Sequence, residues 1–167
     1  MLASTAASAS ATTWSGSCTF KGTSYFQKPY RLTPVYSGWQ GFAKGQCTGS
    51  LNRADFTGSA ELHIDGSMFN HPMSCEWGLS HSAPATLTFG ASPDTVNAPQ
   101  ISLLVDETHL LTEMALHYTG AYNGQAYGYL TYHNSVGPSD LQSCATGPGL
   151  SKLNFELDLH TVRELYG

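Results

Sequence analysis

Charge is the first scarcity. Asp, Glu, Lys and Arg make up 11% of the 167 residues, against about 25% in an average soluble domain. Only seven residues are Lys or Arg and the net charge is −5. No basic patch is available to neutralise a row of phosphates, which excludes nucleic acid as an expected partner. Apolar runs are short as well. None approaches the ~20 residues a membrane helix needs, so no membrane span is expected and the chain reads as soluble. Catalytic signatures are missing too. The nearest approach to a Gly-x-Ser-x-Gly elbow is Gly78-Leu79-Ser80-His81-Ser82, whose last position carries a side chain where that turn wants none. A phosphate loop, an H-E-x-x-H pair, a calcium loop and a dinucleotide glycine fingerprint are equally absent. No catalytic residue and no cofactor is assigned.

Four cysteines are present: Cys18, Cys47, Cys75 and Cys144. They form no C-x-x-C pair and lie too far apart for a local zinc knuckle, so they read as two disulfides made in an oxidising compartment. Of the three connectivities we expect Cys18 with Cys47 and Cys75 with Cys144, because each bond then ties flanks of turn-rich segments and leaves the strand alternation intact. The low-Lys, Thr-rich composition also points to export, so the expected location is secreted or extracellular. Residues 1–13 have small side chains and A-x-A patterns at Ala7 to Ala9 and Ala9 to Ala11, without a basic start or an apolar stretch. They are read as a flexible mature N-terminus, and residues 14–167 as one domain.

Period-two alternation carries the fold. Leu153, Phe155, Leu157 and Leu159 alternate with Lys152, Asn154, Glu156, Asp158 and His160, the pattern of a strand with one face inward and one outward. Similar alternation occurs around Ala60, Leu62 and Ile64, around Ala85, Leu87 and Phe89, and around Ile101, Leu103 and Val105. It returns around Met114, Leu116 and Tyr118, and around Ala126, Gly128, Leu130 and Tyr132. Turn formers stand at Asp65-Gly66, Ser92-Pro93-Asp94, Asn97-Ala98-Pro99, Asn123-Gly124 and Gly137-Pro138-Ser139-Asp140. Asn123-Gly124 is the best hairpin signal. Helical spacing of Leu110, Leu111 and Met114 competes with a strand over 107–116, and the flanking strands favour β. The fold class is all-β, an antiparallel sandwich or barrel.

Several short motifs are shared. Cys47-Thr48-Gly49-Ser50-Leu51, Thr86-Leu87-Thr88-Phe89 and Cys144-Ala145-Thr146-Gly147 leading into the last strand resemble, in the same order, elements of small secreted all-β proteins of actinobacteria. The resemblance spans most of residues 14–161. It implies export and β architecture, and it implies no activity. The aromatic stretch from Tyr25 to Phe42 and the histidines depart from that pattern.

Three groups of residues bear on chemistry. His63, His117, His133 and His160 fall on the polar parity of strands near Glu61, Glu113, Glu156 and Asp158, but no two histidines share a ligand spacing, so they read as solvent-facing. Met68, His71 and Met73 are a thioether and imidazole set of the kind soft copper favours. In a loop beside Cys75 the methionines read as a plug for the core, and no metal site is assigned. The third group is aromatic: Tyr25, Phe26, Tyr30, Tyr36, Trp39 and Phe42, in a stretch broken by Pro29, Pro34 and Gly38. Loops run on the surface, and flat rings suit sugars or apolar ligands.

The expected function is a secreted, non-catalytic binding module that engages a glycan, a small apolar ligand or a surface protein. The expected contact centres on Trp39 with Tyr36 and with Tyr127 or Tyr129, which lie on the polar parity of their strand. Trp14 and Trp77, each near a cysteine, are expected to pack inside. The alternatives are a hydrolase or isomerase using scattered His and Asp/Glu, and a structural cell-surface protein. A pocket lined by His and a carboxylate favours the enzyme, and an exposed aromatic strip favours binding.

Overall fold

A computed structural model describes residues 12–74, 81–90, 98–108, 115–120, 125–131 and 138–166. Nine strands and one helix make up the described chain. They are β1 (Thr13–Tyr30), β2 (Val35–Leu51), β3 (Ala54–Met73), β4 (His81–Phe89), β5 (Gln100–Thr108), β6 (Ala115–Gly120), β7 (Gln125–Thr131), α1 (Pro138–Thr146), β8 (Leu150–Thr161) and β9 (Leu165–Tyr166). Every pairing is antiparallel. Each strand from β2 to β7 pairs with the next in sequence, and β1 pairs with β8 on one side and β2 on the other. The ladder therefore returns to its start, with β9 added beside the first residues of β1. None of the described helices is long and apolar enough to cross a membrane.

Side-chain alternation separates an inner from an outer face. In β8, Phe155, Leu157 and Leu159 are buried and Leu153 half-buried, while Asp158 and His160 are exposed. This is the expected register, since a slip of one residue would bury the charges. The inner face is continued by Trp14, Cys18 and Phe20 of β1, Ala60, Leu62 and Ile64 of β3, Ala83, Ala85, Leu87 and Phe89 of β4, and Ile101 of β5. Trp14 is fully buried and packs against Phe89 at a ring separation of 5.3 Å. A smaller cluster of Tyr30, Cys144 and Leu150 ties α1 to the ends of β1 and β8.

Cys18 stands directly opposite Cys47 across β1 and β2, with Cα atoms 4.0 Å apart, and the expected bond between them is formed. Cys144 is buried and disulfide-bonded. Its expected partner Cys75 lies outside the described residues, as do Trp77, His133 and residues 1–11.

Four local expectations are corrected. The aromatic stretch from Tyr25 to Phe42 is not loop: all but residues 31–34 belongs to β1 and β2. Asp65-Gly66 is not a turn but the interior of β3, and Met68 to Met73 continues that strand. The segment from Pro138 is a helix, with proline in its first turn where a missing N–H costs nothing. It ends where the N–H groups of Gly147 and Gly149 both bond the carbonyl of Ser143. The β2–β3 connection, for which no turn signal was evident, is Asn52-Arg53 alone. Both residues have positive φ, as a two-residue hairpin of the primed kind requires. β6 pairs with β7, and the expected turn Asn123-Gly124 lies outside the described residues.

Candidate aromatic surface

The expected contact of Trp39 with Tyr36 and with Tyr127 or Tyr129 is not found where the strands place these residues. Trp39 is only 2% exposed and belongs to the main core. A Cβ placed on Gly66 would stand 2.7 Å from its indole nitrogen, and one on Gly41 would stand 3.1 Å from its ring carbon Cζ3. The glycines around it are therefore room for the indole and not a sign of a mobile loop. Tyr36 is 57% exposed at the start of β2, opposite Pro72. Tyr127 and Tyr129 pair with His160 and Asp158 of β8, three strands from β2 and so roughly 14 Å away around the sheet.

A different set of rings meets on the outer face. Register places Thr23 of β1, Phe42 of β2, His63 of β3 and Thr86 of β4 in one row. Phe42 and His63 stack across the two strands, with centroids 4.5 Å apart and planes 13° from parallel. Tyr25, on the same face of β1, meets Phe42 edge-on at 6.3 Å. Tyr25 is 51% and Phe42 47% exposed. Because the stack spans neighbouring strands, its rings stand upright like a short wall.

The next row along the strands is ionic. Glu156, Lys21, Lys44 and Glu61 follow one another across β8, β1, β2 and β3. The two lysines face each other, an unfavourable like-charge pair, and each is drawn outward to a carboxylate. Lys21 Nζ lies 2.6 Å from Glu156 and Lys44 Nζ lies 2.8 Å from Glu61. The hydrogen bond and charge of Glu156 raise the pKa of the fully exposed Lys21 ammonium. On the other flank of the rings, Asp65 accepts hydrogen bonds from the Ser67 N–H at 3.0 Å and from Gln40 at 3.4 Å. Its pKa lies below 3.8, chiefly through Ser67, whose side chain and N–H both favour the carboxylate, with smaller help from Gln40 and the nearby His63. Thr23 and Thr19 donate to Asn154 and Asp158, each at 2.8 Å.

A shallow depression of about 300 Å³ adjoins the stack, and Thr23, Phe42, Lys44, Glu61, His63 and Thr86 are among the residues lining it. It holds a histidine and a carboxylate, but Glu61 is engaged by Lys44 and His63 by Phe42. Among the described residues no group of three or more His, Cys, Asp or Glu could hold a metal ion. Met68 is 89% exposed on β3, and the side chains of His71 and Met73 are outside the description.

Neither a family model, nor a curated protein, nor a solved structure matches this chain. Tyr25, Phe42 and His63 were each visible in the sequence as an aromatic or a polar-parity residue. What was missing was the register, which alone puts Phe42 opposite His63.

Proposed function

We propose that the chain is a secreted, non-catalytic binding module, an up-and-down β-barrel closed by the β1–β8 and β1–β2 pairings, which engages its ligand on the outer wall through Tyr25, Phe42 and His63. The observation that carries this reading is the exposure of two large rings on strands whose inner faces already fill the core. A ring left half in water gains less from folding than one enclosed in the core, and clustered exposed rings are the usual anchors of binding. Export agrees with the Cys18–Cys47 bond, and a second bond from Cys75 to Cys144 belongs to the same reading.

The hydrolase alternative draws on Glu61 and His63 beside one depression. It is the weaker reading, because the carboxylate of Glu61 is already ion-paired with Lys44.

The test is a screen of immobilised glycans and small apolar ligands with the native chain and with Phe42→Ala. The expected result is at least one ligand whose affinity falls about tenfold or more in the variant, a loss of roughly 1.4 kcal/mol, while the melting temperature falls by no more than a few degrees. Binding that is indifferent to Phe42→Ala across the whole panel overturns the proposal.

A further inference from the structure

From the unequal ends of the ring row we infer that the ligand is a neutral sugar whose pyranose ring extends the Phe42–His63 stack over Thr86; this rests on the binding reading above and names its ligand class. On the β1 side, Phe42 is flanked by Thr23 and met by the edge of Tyr25. On the β4 side, the face of His63 turned away from Phe42 looks toward Thr86, and beyond it β5 presents the exposed Ser102. Neighbouring strands lie about 4.8 Å apart, close to the spacing of stacked rings. The position above Thr86 is therefore one ring wide, bounded by an imidazole face on one side and carrying hydroxyl groups on its floor. The depression reaches this position, with Thr86, Thr88 and Glu61 in its lining.

Three features choose a sugar over a planar aromatic ligand and a neutral sugar over an acidic one. The floor is polar, with Thr86, Thr88 and Ser102 offering both donors and acceptors. Lys44 Nζ and Glu61 Oε1 are paired at 2.8 Å, one residue pair along β3 from His63, and the pair leaves further ammonium N–H donors and the second carboxylate oxygen for a neutral hydroxyl, which can bond there without breaking the pair. Finally, the charges bordering the rings are matched within the protein. Lys21 meets Glu156, Lys44 meets Glu61, and Asp65 is bonded by Ser67 and Gln40. An anionic ligand would have to displace one of these carboxylates, against a chain of net charge −5.

The experiment is calorimetric titration of the native chain and of Phe42→Ala, His63→Ala and Thr86→Phe with neutral gluco-oligosaccharides, with galacturonate oligosaccharides and with one apolar dye, at low and high salt. The expected outcome is binding of a neutral oligosaccharide that Thr86→Phe and His63→Ala each weaken about tenfold or more, with a Kd that salt changes by less than about twofold. Thr86→Phe places a ring in the slot, and an unchanged melting temperature separates that effect from misfolding. Binding of the acidic oligosaccharide alone, salt-sensitive binding, indifference to Thr86→Phe, or no saccharide binding at all each overturns this inference. If the dye still binds in a manner that requires Phe42, the wider reading of an aromatic binding surface survives; if no probe depends on Phe42, both fall.

Discussion

β8 and β2 lie on either side of β1 and pack in opposite senses. β8 sends Phe155, Leu157 and Leu159 inward and keeps Glu156, Asp158 and His160 outside. From Gly41 to Cys47, β2 sends inward only Gly41, Ala43, Gly45 and Cys47, and it carries Phe42 and Lys44 outside. β1 mediates between them: Phe20 pairs with Leu157 and with Gly45, and Gly22 pairs with Phe155 and with Ala43. A Cβ on Gly22 would stand 2.7 Å from Phe155 Cζ, and one on Gly45 2.6 Å from Phe20 Cδ1. Interiors hold a nearly constant packing density, so a ring on one strand demands a small residue on the next. The lesson is that β2 is lined with small residues because its neighbours are large. Over this stretch its large residues, Phe42 and Lys44, stand outside, and Trp39 is the large residue that β2 sends inward, where Gly41 and Gly66 make room for it.

The sharpest way to break this contrast is to truncate the large inward residue of each of the two strands, Trp39 of β2 and Leu157 of β8. Trp39→Ala should cost about 3 to 5 kcal/mol and Leu157→Ala about 2 to 5, because each opens a cavity in a closed core. Chemical denaturation of the purified variants measures both. A loss below about 1 kcal/mol at Trp39 would mean that its ring is not needed inside and that the two faces of β2 do not differ as described.

A second variant probes the small side of the same packing. In Gly66→Ala the new methyl meets three atoms of the Trp39 indole within 3.0 Å, and overpacking of this kind costs about 1 to 3 kcal/mol. Trp39→Leu should remove most of that cost when the two changes are combined, since the clash is with the indole. Additive losses in the double-mutant cycle would show that Gly66 is required for some other reason.

The same complementarity decides how much of the molecule could be read from its sequence. β8, and the stretches of β3 and β4 around Leu62 and Leu87, show an apolar residue at every second position, Leu, Ile or Phe at most of them, so their strands and inward faces were legible. β1 and β2 have the same period, but Gly22, Ser24, Gly41 and Gly45 occupy inward positions and erase the hydrophobic signal. Pro29 and Gly38 then make the segment look like loop, although Pro29 sits one residue from the end of β1 and Gly38 at a register shift between Ser37 and Trp39. Gly66 misled in the same way, as a turn former whose actual role is clearance for an indole. The aromatic surface was less legible still. Pairing Phe42 with His63 depends on where the β2–β3 hairpin closes, and Asn52-Arg53 lacks the glycine that ordinarily marks such a turn.

On the outer face the expected energetic effect is much smaller. Phe42→Ala loses a cross-strand stack with His63 and an edge contact with Tyr25, contacts of roughly 0.2 to 1 kcal/mol each in a sheet. Set beside Trp39→Ala three residues earlier, it should leave the denaturation midpoint nearly in place while ligand binding is lost. A Phe42→Ala loss as large as that of Trp39→Ala would make the ring a structural element and remove the reason to see a binding surface there.

The smallest effect expected is a titration at the border of that surface. Asp65 is held below 3.8 first by the Ser67 side chain and then by the Ser67 N–H, with Gln40 and His63 adding to the shift and slight burial opposing it. A carboxyl group whose pKa is lower in the folded state stabilises the fold fully above its unfolded value, and that contribution is lost as pH falls through the folded value. The contribution of Asp65 is therefore present at neutral pH and disappears only below about 3.8. Carboxyl NMR of the native chain should give a midpoint for Asp65 below 3.8, and Ser67→Ala should move it up without abolishing the shift, because the backbone N–H still donates. An unshifted Asp65, or a midpoint that Ser67→Ala leaves in place, would mean that the hydrogen bonds from Ser67 to Asp65 do not hold the edge of the aromatic surface in solution.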